Sequence, residues 1–182
     1  MLYEVCLQGR GGQGAAMAAR VLVQAACLEG LWGQAFPLFG GERRGAPVYA
    51  FARISDRPVR LHSRVYTPDA VIVLDRALIE AMGVRVKEGG LLLVNSPARP
   101  HSVNAAKARI FWVDATSIAT QLGLVIAGWP VVNTAMLGAF ARASGLVKLS
   151  SLREAIRMTW RGELGEVNAR AAERGYEEVM GA

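Results

Sequence analysis

"CLQGRGGQGAAMAARVLVQAAC", residues 6–27, joins an apolar strand to an alanine-rich helix through a turn with four glycines. The pattern predicts a strand over residues 2–8 and a helix over residues 15–28, which Gly30 ends. Gly9, Gly11 and Gly14 carry the GxGxxG spacing, in which backbone N–H groups and a helix N-terminus can approach an anion. A strand–turn–helix unit of this kind is typical of α/β domains.

Strand and helix patterns alternate along the rest of the chain. Further strands are predicted over residues 32–39, 48–54, 58–66, 70–75, 91–95 and 110–113. Further helices are predicted at residues 78–82, after Asp114, over 133–144, after a capping box at 151–154, and over 166–180. We therefore predict a single three-layer α/β/α domain over residues 1–182, with a mixed, mainly parallel sheet whose strand order is open.

The composition is that of a folded protein without a membrane segment. Of the 182 residues 52% are hydrophobic and 20% are charged. The most apolar helical stretch, residues 15–28, is shorter than the roughly 20 residues of a membrane span and contains Arg20. No charged leader precedes the first strand, and Cys6 and Cys27 occupy apolar positions expected to be buried and reduced. We expect a cytoplasmic protein.

The chain offers few metal ligands. Its cysteines and histidines are Cys6, Cys27, His62 and His101, and no two of them have the spacing of a metal site. His62 is expected on a strand face and His101 in a loop next to a proline. Iron–sulfur clusters usually take four thiolates, so we expect this chain to hold no metal.

Much of the net charge of +6 comes from one stretch of sequence. The arginines between residues 43 and 64 are opposed only by Asp56, and they are Arg43, Arg44, Arg53, Arg57, Arg60 and Arg64. Such a stretch suits a phosphate-bearing cofactor or an acidic partner protein, and it is equally typical of a solvated basic face. We expect no nucleic-acid partner, because the stretch lacks a recognition helix and an aromatic stacking platform.

The glycine spacing leaves two further interpretations open. A dinucleotide fold needs an acidic residue about 20 residues on, at the end of the second strand. Residues 32–39 contain no Asp or Glu, although Arg43 and Arg44 would suit a phosphate-bearing ribose. A free-standing NADP- or nucleotide-binding oxidoreductase that uses the loop at residues 9–14 is therefore an alternative. The other alternative is a tight turn with a purely structural role.

Six blocks in order identify a family resemblance over nearly the whole chain. The first, GRGGQG at residues 9–14 with its alanine-rich helix, resembles the gamma subunit of 2-oxoacid:ferredoxin oxidoreductases, the pyruvate:ferredoxin oxidoreductase group. The second, GGERRGAPV at residues 40–48, is similar to that family's Gly-Pro-Glu-x-Arg-Gly-Gly loop, with Gly41 and Ala46 as departures. The remaining blocks lie at residues 71–75, 89–95, 114–116 and 133–139, and Asn168 with Gly175-Tyr176 resembles the family's closing motif.

The resemblance implies an accessory gamma subunit that packs on a catalytic core and helps to form the coenzyme A region. The partners would be alpha, beta and delta-type subunits, with ferredoxin as the acceptor of the complex and a homodimer as a possible state of the isolated chain. Thiamine diphosphate, magnesium and iron–sulfur clusters would belong to the other subunits. The complex would convert a 2-oxoacid to its acyl-CoA and carbon dioxide, and the isolated chain would be inactive. The 2-oxoacid (pyruvate, 2-oxoglutarate, a branched-chain acid or indolepyruvate) stays open.

The same resemblance selects candidate contacts for coenzyme A, whose phosphates suit arginine forks and backbone N–H groups. The candidates are Gly11, Gly12, Gln13, Gly14, Arg43, Arg44, Gly45 and Asn133. Two alternatives apply: Arg43 and Arg44 could instead form salt bridges between subunits, and Asn133 could be only a helix N-cap. We also expect an exposed apolar face on the helix at residues 15–28 or on the helix at 133–144, since a subunit must bury such a face against partners.

Overall fold

A computed structural model describes residues 1–38, 45–61, 63–100 and 107–181. The strands are β1 (Leu2–Arg10), β2 (Trp32–Leu38), β3 (Pro47–Ser55), β4 (Ala70–Val73), β5 (Leu91–Asn95), β6 (Arg109–Val113), β7 (Val125–Ile126), β8 (Trp129–Pro130) and β9 (Met180–Gly181). The helices are α1 (Ala15–Leu28), α2 (Leu78–Met82), α3 (Ala115–Gln121), α4 (Asn133–Ser144), α5 (Leu149–Thr159) and α6 (Glu163–Glu178).

Seven strands form one mixed sheet in the order β2-β3-β1-β4-β5-β6-β9. The four central strands β1, β4, β5 and β6 are parallel, whereas β3 pairs antiparallel with β1 and with β2. Leu7 lies between Ala50 of β3 and Ile72 of β4. The predicted α/β fold with a mixed sheet and a parallel centre is confirmed, and the strand order that the sequence left open is now given.

The two faces of the sheet are covered unequally. Helices α1, α3, α4, α5 and α6 enclose the larger core on one face, where the side chains of Val5, Leu7, Ile72 and Leu93 lie. The smaller core on the other face contains Cys6, Phe51, Val71, Val73, Leu92 and Val94, and the residues packed against it include Ile79, Val84 and Val86. Strands β4 and β5 are buried on both faces, which explains their uninterrupted apolar sequences.

Helices α4 and α6 approach each other closely through glycines. A Cβ atom at Gly138 of α4 would collide with the carbonyl oxygen of Ala172, and one at Gly175 of α6 would collide with that of Ala135. The whole of α4 from Asn133 to Ala141 is buried as a result. The expectation of an exposed apolar face on this helix is therefore wrong. Helix α1 likewise buries five of its six alanines, and the one large apolar side chain it exposes is Leu28 at its C-terminus.

The segment predicted as a strand at residues 58–66 is irregular in its described parts, 58–61 and 63–66. Its backbone is held by a side chain instead of a neighbouring strand. Arg53 of β3 donates from Nη1 to the carbonyl oxygen of Leu61 (3.1 Å) and from Nη2 to that of Ser63 (2.6 Å). His62, expected on a strand face, and His101 lie outside the described residues.

Three more local expectations are corrected by tertiary contacts. Helix α5 begins at Leu149, so the capping box starting at Ser151 lies inside the helix; the N–H of Lys148 donates instead to Glu29 Oε1 (2.6 Å). Helix α6 begins and ends earlier than expected, and Met180–Gly181 pairs antiparallel with β6. Cys27 is exposed because it lies on the outer side of α1, whereas Cys6 is buried as expected.

No helix within the described ranges is both long and apolar enough to cross a membrane.

Candidate functional site

The glycine loop, residues 9–14, continues directly from β1 and touches the start of β3. The N–H of Gly11 donates to the carbonyl oxygen of Ala46 (2.8 Å), and the N–H of Gly45 donates to that of Gly11 (3.2 Å). These bonds extend the antiparallel pairing of β1 with β3 beyond its last pair, Arg10 with Pro47. The described end of the second family-like loop, residues 45–47, therefore lies at the same sheet edge as the glycine loop. Arg43 and Arg44 lie outside the described residues.

The glycine loop is closed by Gln13. Its side-chain Oε1 accepts from the N–H of Arg10 (2.7 Å), and its own N–H donates to the carbonyl oxygen of Arg10 (3.0 Å). Gly12, at the tip, has a φ of 98°, a conformation that favours glycine, and no atom lies within 4 Å of where its Cβ would be. The loop is thus closed by hydrogen bonds, and its tip has open space beside it.

Asn133, at the start of α4, contacts the glycine loop at Gly14. It is 2% exposed, its Nδ2 donates to the carbonyl oxygen of Gly14 (3.5 Å), and its Oδ1 accepts from the N–H of Thr134 (2.9 Å). This position requires glycine for two reasons. A Cβ atom at Gly14 would collide with the Asn133 amide, and the φ of Gly14, 85°, is one that other residues rarely adopt. Asn133 is the first residue of α4 and not the residue before it, so the N-cap interpretation is wrong.

The N-terminus of α1 has free hydrogen-bond donors. Gly14 precedes the helix and supplies no side-chain cap. In the part of the chain that the structure describes, no acceptor takes the N–H of Gly12 or Gly14. Such N–H groups at the positive end of the helix dipole are an anion-binding arrangement.

Two cavities lie beside this N-terminus. One of about 220 Å³ is lined by Gly11, Gly12, Gln13, Gly45, Ile126 and Trp129. The other, of about 520 Å³, lies at the carboxyl ends of the parallel strands and includes Leu74, Asp75, Asn95, Asp114, Thr116 and Trp129. Gln13 and Trp129 line both, so the cavities adjoin, and we call them together the glycine cleft. Open α/β sheets bind ligands in this position, outside the carboxyl ends of their strands.

The two described carboxylates that line the glycine cleft, Asp75 and Asp114, accept hydrogen bonds from other groups of the chain. Arg10 donates from Nε to Asp75 Oδ2 (2.6 Å) and from Nη1 to the carbonyl oxygen of Gly45 (3.2 Å), which ties together β1, the start of β3 and the end of β4. Asp114 accepts from the N–H (2.9 Å) and the hydroxyl (2.7 Å) of Ser117 at the start of α3, as predicted for an N-cap. Among the described residues, no acidic side chain lines the smaller cavity. The cleft thus presents donors, with its negative charge neutralised or hydrogen-bonded.

Sequence reasoning missed Trp129 and the role of Arg10. Trp129 belongs to the short hairpin β7–β8 and is 52% exposed beside the glycine loop. The hairpin has two-residue strands, too short for an alternating pattern to reveal. Asp75, the partner of Arg10, did carry a signal, because it ends an apolar run as an acid at a strand end.

The basic stretch does not form one surface. Arg53 is 1% exposed, and its Nε donates to Glu4 Oε1 (2.9 Å) on the neighbouring strand. Arg57, Arg60 and Arg64 are exposed, but none of them lines the glycine cleft. The prediction of an anion-binding patch is therefore wrong for Arg53, and it stays a prediction for Arg43 and Arg44, which lie outside the described residues.

Comparison with known proteins agrees with this geometry. The family model of the pyruvate ferredoxin/flavodoxin oxidoreductases matches residues 4–178. The common gamma subunit of the pyruvate/ketoisovalerate oxidoreductases of Pyrococcus furiosus is 49% identical, over 98% of this chain and 97% of that one. Pyruvate synthase subunit PorC of Methanothermobacter marburgensis is 47% identical over 98% of each chain. The crystal structure of pyruvate oxidoreductase subunit PORC of Thermotoga maritima superposes with a TM-score of 0.86 at 37% identity, covering 100% of this chain and 98% of that one. A glycine loop that opens α1 on a mixed sheet, and a sequence that matches from end to end, thus place this chain in the pyruvate ferredoxin/flavodoxin oxidoreductase family.

Proposed function

We propose that this chain is the gamma-type subunit of a 2-oxoacid:ferredoxin oxidoreductase and that its glycine cleft receives the phosphate-bearing part of coenzyme A. The relatives that match over their whole length are gamma or PorC subunits, which gives no support to a free-standing NADP-dependent enzyme. In the proposed complex, alpha, beta and delta-type subunits complete the catalytic core and ferredoxin accepts the electrons. The proposal treats residues 1–182 as one gamma domain and places the complex in the cytoplasm.

The uncapped N-terminus of α1 is the observation that supports coenzyme A binding. The N–H groups of Gly12 and Gly14 and the open space at Gly12 suit a phosphate oxygen, because backbone donors there need no rearrangement. The exposed indole of Trp129 offers a flat surface to the rest of the ligand. Arg43 and Arg44 precede Gly45, which lines the cleft, so the proposal includes them as ionic contacts.

The other cofactors of such complexes do not fit this chain. No group of three or more His, Cys, Asp or Glu side chains comes together within residues 1–38, 45–61, 63–100 and 107–181. An iron–sulfur cluster needs such a ligand set, and the family resemblance assigns thiamine diphosphate with its magnesium ion to the other subunits. We therefore assign these groups to the partner subunits. When the complex is assembled, this chain would bind and orient coenzyme A for acyl transfer and would not itself carry out the redox step.

The test is to replace Arg43 and Arg44 with alanine in the reconstituted complex and measure the KM for coenzyme A. We expect the KM to rise at least about tenfold, because each lost charged contact costs about 1.5–3 kcal/mol. The matched control is Arg57→Ala with Arg60→Ala, two exposed arginines of the same stretch that do not line the cleft.

Size-exclusion chromatography of the assembled complex separates the two roles of the arginine pair. If R43A/R44A prevents assembly while the control assembles, the arginines are interface residues and their part in coenzyme A binding is refuted. If the complex assembles with an unchanged KM, the same part of the proposal is wrong. Failure of this chain to join the other subunits in any form would refute the gamma-subunit assignment itself.

A further inference from the structure

A third cavity lies on the face of the sheet opposite to α1, α3, α4, α5 and α6. It has a volume of about 510 Å³, within the range of about 300–1,000 Å³ that small-molecule sites occupy. Its lining among the described residues comprises Cys6, Gln8, Tyr49, Phe51, Arg64, Val65, Tyr66, Pro68, Met82, Gly83, Val84 and Arg85. We call it the far cavity. No described residue lines both the far cavity and the glycine cleft, so we treat the two as separate sites.

Two arginines give the far cavity a positive mouth. Arg64 and Arg85 are both exposed, and the guanidinium carbon of Arg64 lies 5.7 Å from the centre of the Tyr49 ring. No carboxylate of the described residues pairs with either arginine, and none lines the cavity. Guanidinium groups without a protein partner attract carboxylate or phosphate oxygens.

The walls of the far cavity are aromatic and aliphatic. The rings of Tyr49 and Phe51 are nearly parallel, with an interplanar angle of 4° and centroids 6.2 Å apart. Val65 and Val84 also line the cavity. Such walls suit the apolar or aromatic body of a small molecule rather than a hydrated inorganic ion.

The floor contains a buried acceptor with no donor. Gln8 is 3% exposed, and its Nε2 donates to the carbonyl oxygen of Gly83 (3.0 Å), another lining residue. This bond fixes the orientation of the amide, yet its Oε1 has no hydrogen-bond partner in the described chain. A buried acceptor in this state costs free energy unless something supplies an N–H or O–H.

Cys6 is the one thiol among the described residues that line the far cavity, and its burial keeps it protonated. Burial raises the pKa of Cys6 to about 12, although the charge of Arg64 opposes this, so the thiol is protonated at neutral pH. Burial also raises the pKa of Tyr49, whose hydroxyl donates to the carbonyl oxygen of Met82 (3.4 Å). These groups favour reversible binding over covalent chemistry.

From these contacts we infer that the far cavity binds a small organic anion with an apolar or aromatic body. The anionic group meets Arg64 and Arg85 at the mouth, the body lies against Tyr49 and Phe51, and a hydroxyl or amine donates to Gln8 Oε1. The shared chemistry covers carboxylates and phosphate esters. This inference concerns a separate site and does not depend on coenzyme A binding at the glycine cleft.

The test is a titration of the full-length chain followed by NMR of its backbone amides. The probes are 4-hydroxyphenylacetate, phenylacetate without the hydroxyl, 4-hydroxyphenylacetamide without the charge, and phenyl phosphate. We expect saturable binding of 4-hydroxyphenylacetate, with shift changes centred on residues 49–51, 64–66 and 82–85. We expect 4-hydroxyphenylacetamide to bind at least about tenfold more weakly than 4-hydroxyphenylacetate, and the R64Q/R85Q variant to bind 4-hydroxyphenylacetate at least about tenfold more weakly than the unchanged chain. Phenylacetate, which lacks the hydroxyl, should show a smaller loss of affinity. Tighter binding of phenyl phosphate than of phenylacetate would identify a phosphate ester, and the reverse order a carboxylate.

The matched control is R20Q/R161Q, which removes two exposed arginines outside the cavity and leaves binding unchanged. Thermal unfolding of both double variants checks that the fold is kept. The inference is overturned if no probe binds saturably, if the amide probe binds as tightly as the carboxylate, or if R64Q/R85Q binds as tightly as the control. If 4-hydroxyphenylacetate and phenylacetate bind with equal affinity, the proposed hydrogen bond from the hydroxyl to Gln8 Oε1 is wrong.

Discussion

At the scale of single residues, the most consequential side chain outside the glycine cleft is Arg53. It lies near the C-terminal end of β3, 1% exposed, with its guanidinium carbon 5.2 Å from the centre of the Phe36 ring on β2. Its Nε pairs with Glu4 of β1, and its other nitrogens hold the carbonyl oxygens of Leu61 and Ser63. One residue therefore joins three strands and the irregular segment that follows them.

We expect Arg53→Ala to lower the free energy of unfolding by about 3–5 kcal/mol, because it leaves the Glu4 carboxylate and two carbonyl groups without their donor. Chemical denaturation of the two proteins measures the difference. The control, Arg60→Ala, removes an exposed arginine and should change stability by less than about 0.5 kcal/mol. Equal stability of the two variants would contradict the role assigned to Arg53.

The two cysteines should differ sharply in reactivity. Cys27 is exposed on α1, whereas Cys6 is 5% exposed and its pKa is raised to about 12 by burial. Iodoacetamide at pH 8 should therefore alkylate one thiol in the native chain and both in denaturant, with Cys27 identified by peptide mass spectrometry. Cys27→Ser should abolish the fast reaction. Rapid alkylation of Cys6 in the native chain would show that the sheet face around it opens readily.

At the scale of elements, the contact between α4 and α6 depends on backbone touching backbone. Gly138 and Gly175 lie against the carbonyl groups of Ala172 and Ala135, and Thr134 Oγ1 donates to Asn168 Oδ1 (3.0 Å) in the same contact. Because α4 also holds Asn133 behind Gly14, this contact positions the glycine loop.

Gly138→Ala should destabilise the fold by at least about 2 kcal/mol, although alanine favours helices, because its methyl group has no space against the Ala172 carbonyl. The matched control on α6 is Glu177→Ala, an exposed position without an ion pair in the described chain. Denaturant midpoints of both variants provide the comparison. A Gly138→Ala protein as stable as the control would mean that the two helices can move apart at little cost.

At the scale of the whole molecule, the large apolar side chains exposed among the described residues are distributed over several elements. They include Trp32 and Leu28 at one end of the sheet and Trp129 with Ile126 beside the glycine cleft. In the proposed complex, the hairpin β7–β8 is therefore placed to contact both a bound ligand and a neighbouring subunit.

The purified chain should contain less than one equivalent of iron or zinc and show no absorption in the visible range. The physical reason is that cysteines and histidines are too few for a cluster, and acidic side chains in the described ranges do not gather into a ligand set. Elemental analysis together with an absorption spectrum decides this. Stoichiometric iron that survives dialysis against a chelator would overturn the assignment of the metals to partner subunits.

Helices and strands that are marked by a short, continuous sequence pattern could be predicted from the amino-acid sequence alone. The bounds of α1, β5 and α4 were predicted residue for residue, because a period of 3.6 or an unbroken apolar run ended at glycine or a polar residue. The glycine loop and the mixed sheet with a parallel centre followed from the same patterns, whereas the family followed from the resemblance of six ordered blocks of sequence.

Features that depend on neighbours distant in the chain could be read only from the packed fold. The pairing of Arg53 with Glu4, 49 residues apart, follows from β3 lying beside β1, and that strand order turned an expected surface charge into a buried one. The far cavity arises in the same way, because residues 6–8, 49–51, 64–68 and 82–85 meet only once the sheet has formed. Local periodicity specifies which face of an element is apolar, but burial, charge pairing and cavities depend on which elements meet, and that is a property of the packed chain.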